Sequence, residues 1–447
     1  MRRFILDELE DWKKSKYRKP LILCGARQVG KTWAMKEFGK TFATCAYFNF
    51  EEQKSLKQFF ETTKDVKRIL QNLSIVCGFP ITEGTLIIFD EIQECNDALN
   101  TLKYFCENAP EYYVIAAGSL LGIALAKGFP VGKVDFINMM PMTFSEFLIA
   151  DGSENLYEYL ESIENIENIP ELIYEQLYEK LKIYYVTGGM PEPVYMWSKE
   201  RNIDLVNKAQ DGILNSYVRD FGQHLLDNQN SELKYDVQKI RLIWDSIISQ
   251  LSKENKKFMY SQVRTGARAR EYESSLQWLV NADLLKKIYR ISEPRIPIRA
   301  YQEKDFFKVY HLDVGLLRRQ SGLSHTAFAE GEKLLREFKG ALTENYVVQS
   351  LSNLFRTDIM YWSNDKYEVD LIVQLENEVI PVEIKSGKSI SSPSLSMYQK
   401  LYEGEMPIIV RYSMMNLKLD GNVLNIPLFM VDQTKKLINI ARGKRIK

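Results

Sequence analysis

Residues Leu21 to Trp33 read LILCGARQVGKTW. The apolar run Pro20 to Cys24 predicts a buried parallel strand, and Gly25-Ala26-Arg27-Gln28-Val29-Gly30-Lys31-Thr32 matches G-x-x-x-x-G-K-[ST] in full. A helix from Lys31 to about Phe38 completes the strand, loop, helix order that this motif requires. Gly25 and Gly30 permit the backbone angles that wrap N–H groups around a β-phosphate, and the helix N-terminus adds its own donors and dipole. The predicted nucleotide contacts are therefore Gly25, Ala26, Arg27, Gln28, Val29, Gly30, Lys31, Thr32 and Trp33. Lys31 would bridge the β- and γ-phosphate oxygens of ATP as a point charge, and the Thr32 hydroxyl would ligate Mg²⁺.

A phosphate loop needs acids on a neighbouring strand, and Thr85 to Glu91 (TLIIFDE) offers them. Four apolar residues predict a buried strand with Asp90 and Glu91 at its carboxyl end, where ligands sit in open α/β sheets. Asp90 would hold Mg²⁺ through water, and Glu91 would polarise the attacking water so that ATP is hydrolysed. Tyr112 to Ala117 (YYVIAA) predicts another buried strand ending at Gly118-Ser119. Ser119 is the candidate sensor of the γ-phosphate, the other reading being a helix N-cap before Leu120 to Ala126. With Cys45 to Phe50 as a further strand, the alternation of strands and helices specifies an α/β fold, a doubly wound parallel sheet.

At 447 residues the chain exceeds one hydrophobic core. Lysine plus arginine and aspartate plus glutamate both number 59, so the charge balance excludes a surface built wholly for nucleic acid and leaves local patches as the only candidates. The first twenty residues lack an apolar core of signal-peptide length, and the longest apolar stretch, Tyr112 to Ala126, falls short of a membrane span. A cytoplasmic protein without membrane contact is the expectation. Five cysteines, all in the first quarter and with no C-x-x-C, predict free thiols, and with three histidines a zinc site is not expected.

Asp151 to Lys180 carries nine carboxylates and reads as a solvated helical hairpin, a lid or boundary. Pro191 and Pro193 predict a rigid turn between domains. Beyond them, an amphipathic helix (Val237 to Leu251), a short helix at Ser261, a longer helix (Arg270 to Leu285) and two strands (Lys286 to Ile291, Phe306 to His311) follow the order of a winged helix. Lys256 to Ala300 holds ten basic residues against four acidic ones, so Arg264, Arg268 and Arg270 are the candidate contacts to DNA or RNA backbone. Winged helices also serve as protein docking modules.

A third block has a helix with Glu344, then strands Ile359 to Trp362, Glu368 to Val373 and Val379 to Ile384, the last leading into Glu383-Ile384-Lys385. This is the D-x(n)-E-x-K arrangement of the PD-(D/E)xK nuclease-like fold. Asp370 and Glu383 would ligate Mg²⁺ with Glu344 assisting, and the period of two puts Lys385 on the face of Glu383. Gln399 would orient a water, and Lys435 to Lys447 forms a basic tail.

Together GARQVGKT, IIFDEIQE, AAGSLLG, MMPMTFSEFL, GGMPEPV, SYVRD and KVYHLDVGLL resemble the AAA-type ATPases that carry a C-terminal domain catalogued as DUF4143. The resemblance implies an arginine in the segment before MTFSEF, where this chain has Lys133, which cannot make a bidentate clamp. Arg219, or an arginine from a neighbouring subunit of an oligomer, is the other candidate. The expected division is an ATPase domain at 1–185, a helical and winged-helix module at 186–330, and a nuclease-like domain at 331–447. The expected function is a Mg²⁺-dependent ATPase whose nucleotide state controls a nucleic-acid-binding or nuclease half; the alternative is an ATP-liganded DNA-binding or docking module without catalysis.

Overall fold

The computed structural model describes residues 1–118, 131–226, 236–253, 257–325, 336–355, 359–364, 366–387, 392–402 and 408–445. Two compact units result, the first made of Arg2–Met140 with Asn281–Leu284, the second of Pro141–Val280 and Leu285–Lys447 with Met1. The boundary therefore falls at Met140 rather than at 185, because the acidic helices pack with the C-terminal half.

In the first unit the strands are β1 (Leu21–Cys24), β2 (Thr44–Asn49), β3 (Thr85–Asp90), β4 (Tyr113–Ala117) and β5 (Asp135–Asn138). They form one parallel sheet in the order β2-β3-β4-β1-β5. Every residue of β3 is buried, as a strand covered on both faces requires. Helices fill those faces. Ile5, Leu9 and Trp12 of the helix Ile5–Lys14 are buried, and the Trp12 ring meets Phe38 and Tyr113. Ile69 and Leu73 of the helix Val66–Cys77 join Phe89 and Phe105 in a core cluster.

The second unit holds the remaining strands, β6 (Leu285–Ile291), β7 (Gln302–His311), β8 (Ile359–Ser363), β9 (Glu368–Leu375), β10 (Glu378–Ile384), β11 (Ile409–Ser413), β12 (Lys418–Asp420) and β13 (Val423–Pro427). They form a mixed sheet in the order β12-β13-β11-β10-β9-β8-β6-β7. The ribbon read as the strands of a winged helix is part of this sheet, since β6 pairs in parallel with β8. The middle and third blocks thus share one sheet.

Two glycine motifs of the sequence prove architectural. Asp313, fully buried, accepts from the Gly189 amide at 2.7 Å, the Leu316 amide at 3.0 Å and Gln349 Nε2 at 3.1 Å. Gly188 has φ +68° and a Cβ there would stand 2.0 Å from Asp313 Oδ1, so only glycine fits. The Pro191 turn is instead the first residue of a helix, Pro191–Glu200, a position that its missing N–H suits. The acidic stretch forms the helices Glu154–Ser162 and Glu171–Thr187, and its first member is not solvated. Asp151 is buried, accepts from Lys180 Nζ at 2.5 Å and Trp197 Nε1 at 2.8 Å, and pairs with Arg201. Burial works to raise its pKa, but these donors outweigh burial and hold it below the usual carboxylate range.

Candidate nucleotide site and C-terminal carboxylate cluster

β1 ends against its own loop. Gly25 has φ +135°, and a Cβ there would come within 2.2 Å of the Met139 carbonyl. Gly30 at φ +99° opens the helix Lys31–Gly39, and Gln28 also sits at positive φ. Arg3 braces the loop, donating to the Val29 carbonyl at 2.9 Å and the Met140 carbonyl at 2.8 Å.

Lys31 is buried, and its ammonium donates to the Gly25 carbonyl at 2.7 Å and the Ala26 carbonyl at 2.8 Å. Burial lowers its pKa to about 8, although the charges of Glu91, Asp283 and Asp90 oppose that shift. A buried ammonium held by two neutral carbonyls, in the loop that opens a helix, is suited to take up an anion. Burial likewise pushes the Cys24 thiol up to about 12, so it is no nucleophile.

The acids converge on the same place. Thr32 Oγ1 donates to Asp90 Oδ2 at 2.8 Å, although β1 and β3 are separated by β4. Asp90 Oδ1 accepts from the Glu91 amide at 3.1 Å. Glu91 has φ +50°, and its Oε2 accepts from Gln93 Nε2 at 2.6 Å. A hydroxyl and a buried carboxylate in contact beside a phosphate loop are oxygen donors suited to Mg²⁺, which would neutralise charge on phosphate oxygens when bound. The residues present fit that ion. Trp33 is exposed on the helix that Lys31 begins, and Ser119 lies outside the described residues.

Three supporting groups carry no signal in the sequence. Arg3 lies in a segment that reads only as a helical stripe, and Gln93 in a turn after two acids. Tyr47 OH donates to Asp90 Oδ2 at 2.8 Å from the middle of β2, where only a strand pattern is visible. Lys133 precedes β5, at the end of the sheet opposite the phosphate loop, and pairs with Glu107 at 2.9 Å. It therefore does not serve this chain's own site.

In the second unit β9 and β10 are antiparallel neighbours, and the register that pairs Val382 with Leu371 sets Glu383 opposite Asp370 one step on. Lys385 Nζ lies 2.6 Å from Glu383 Oε1, which also accepts from Ser392 Oγ at 2.8 Å, and Glu383 Oε2 has no hydrogen-bond partner among the described residues. Asp370 Oδ2 is taken by the Ile384 amide at 2.7 Å. Glu344 does not join them. It is buried against Lys308 Nζ, 3.4 Å from its Oε1, and bonds to Tyr310 OH, while Lys308 lies 2.6 Å from Glu368. Among the described residues no three acidic, histidine or cysteine side chains could hold a metal ion, so the expected set Glu344, Asp370 and Glu383 is not assembled. The physical reason is that an internal ammonium already neutralises Glu344. Gln399 is likewise committed, donating to Asn422 Oδ1 at 3.0 Å.

Of the basic cluster, Arg264, Arg268 and Arg270 are exposed, in the turn before and the first residues of the helix Ala269–Asn281. Arg270 lies 3.9 Å from Glu271, Arg290 pairs with Glu303 and stacks on Phe306, and Arg295 pairs with Glu293. Lys256 lies outside the described residues. No helix of the described residues is long and apolar enough to cross a membrane, and the five cysteines are free.

Family models match three segments: an AAA domain at residues 17–148, a domain of unknown function (DUF8612) at 178–327, and a domain of unknown function (DUF4143) at 339–429. No curated protein matches. Among solved structures, a Walker-type ATPase of Pyrococcus abyssi is similar, with 14% identity, 72% of this chain and 95% of that chain covered, and a TM-score of 0.44. The ORC1 protein of Aeropyrum pernix in complex with DNA gives 12% identity, 71% and 90% coverage, and a TM-score of 0.25. AMPPCP-bound DnaA from Aquifex aeolicus gives 14% identity, 62% and 86% coverage, and a TM-score of 0.23.

Proposed function

From an AAA domain followed by a DUF4143 domain, we propose that this chain is a Mg²⁺-dependent ATPase whose nucleotide state governs a nucleic-acid-binding C-terminal half. The observation that carries the reading is the 2.8 Å bond from Thr32 to Asp90 beside the buried ammonium of Lys31. Lys31 exchanges its two carbonyl partners for phosphate oxygens, an exchange of neutral acceptors for charged ones that strengthens each bond. Thr32 and Asp90 hold the ion, and Glu91, steadied by Gln93, takes the proton of the attacking water.

Phosphate release by wild type and by Glu91→Gln tests this. The variant should retain ATP affinity and lose about 10²- to 10⁴-fold in turnover. Equal rates would leave ATP as a structural ligand only.

Arg264, Arg268 and Arg270 form the proposed contact to phosphate backbone, supported by their exposure on one turn and helix start. Replacing any one with alanine should flatten the salt dependence of DNA binding by about 0.9 in slope for each phosphate that the arginine neutralises. The C-terminal block binds nucleic acid without cutting it, because Glu344 is held by Lys308 and Tyr310. Plasmid and single strands incubated with Mg²⁺ or Mn²⁺ should give identical traces for wild type and Asp370→Ala. Cleavage by wild type alone would reinstate a nuclease.

A further inference from the structure

Asp90 Oδ2 receives two donors, Thr32 Oγ1 and Tyr47 OH, each at 2.8 Å. The second comes from β2, which the phosphate-loop motif does not include. The ring that carries it is located from three sides. β2 pairs with β3 so that Asn49 stands opposite Asp90, two residues beyond Tyr47 and on the same strand face. Asn49 Nδ2 reaches the Tyr47 oxygen at 3.4 Å. Lys36, one turn after Thr32 on the same helix, sets its ammonium 4.0 Å from the ring centroid.

We propose that Tyr47 is the positioning residue of the metal site: its hydroxyl fixes the rotamer of Asp90, so that Asp90 and Thr32 present their oxygens to Mg²⁺ together. Thr32 must turn a lone pair to the ion while it keeps its proton on Asp90, and it can do so only if Asp90 stays where it is. The Glu91 amide holds Oδ1 at 3.1 Å, and Tyr47 holds Oδ2 from the neighbouring strand β2. Such outer partners of metal-binding carboxylates act through the ion rather than on the nucleotide.

This inference rests on the Mg²⁺·ATP reading, and the test separates the two. The affinity of the full chain for the non-hydrolysable analogue AMPPCP is measured across Mg²⁺ concentrations and in EDTA, for wild type and Tyr47→Phe, with the thermal midpoint of each. Tyr47→Phe should raise the half-saturating Mg²⁺ concentration by about tenfold and leave the affinity in EDTA unchanged. A purely structural role would lower the thermal midpoint and weaken both affinities alike, and would overturn the assignment. Superimposed Mg²⁺ curves, with a wild type that responds to the ion, would overturn the role of Tyr47 alone. A wild type whose affinity ignores Mg²⁺ would overturn both readings.

Discussion

Each unit buries a lysine among carboxylates, and the two lysines are treated in opposite ways. Lys31 in the first unit donates to the backbone carbonyls of Gly25 and Ala26, and burial lowers its pKa to about 8. Lys308 in the second unit lies 2.6 Å from Glu368 and 3.4 Å from Glu344, beneath the Tyr361 ring. One ammonium keeps its charge for something else to neutralise; the other has spent it within the fold. Burial of a polar cluster alone therefore does not mark a working site. The proposed site differs in that the contacts of its ammonium are neutral backbone carbonyls rather than carboxylates.

The contrast is broken most forcefully at Lys308. Lys308→Ala strands Glu344 and Glu368 around a side chain with 0% exposure, and should cost about 3–5 kcal/mol in a urea titration. A loss under about 1 kcal/mol would mean that the pair contributes nothing beyond surface ion pairing.

A second test uses pH. On the proposed role of Lys31, which requires its charged form, ATP affinity should be flat below about pH 8 and fall by about tenfold per unit above it. Stability moves the other way. Between about 8 and the ordinary value of 10.5 the unfolded chain still holds the proton that the folded chain has released, so the Lys31 contribution rises with pH across that window. Titrations of affinity and of unfolding at several pH values check both signs. An affinity that is level to pH 10 would place the ammonium outside the nucleotide site.

The smallest effect is expected from Lys31→Met, which keeps the aliphatic stem and removes a desolvated charge. Its unfolding free energy should stay within about 1 kcal/mol of wild type, in line with the tension between stability and activity at functional sites. A loss as large as that of Lys308→Ala would erase the distinction between the two units.

The same contrast governs what the sequence could disclose. The phosphate loop was legible because its chemistry is contiguous: Gly25, Gly30, Lys31 and Thr32 lie within eight residues. Asp90 was legible only in combination: acids at the end of a buried strand are common turn residues, and the phosphate loop upstream is what singled this one out. The partner Tyr47 was hidden, since CAYFNF shows only a strand period, and the pairing of β2 with β3 is a long-range fact. In the second unit the order of strands put Asp370 and Glu383 on neighbours, and the period of two put Lys385 beside Glu383. The capture of Glu344 was not legible, because Lys308 and Tyr310 come from a segment thirty-odd residues earlier that carries no motif for it. Nor did local patterning disclose that β6 pairs with β8 and merges two expected domains, because strand order depends on packing between segments some seventy residues apart.

Whether Lys31, Thr32 and Asp90 form one Mg²⁺·ATP site is decided by an equilibrium titration of ATP with and without Mg²⁺. Wild type should bind more tightly when the ion is present, and Lys31→Ala should lose about a hundredfold in affinity. Undiminished binding by Lys31→Ala would contradict the assignment.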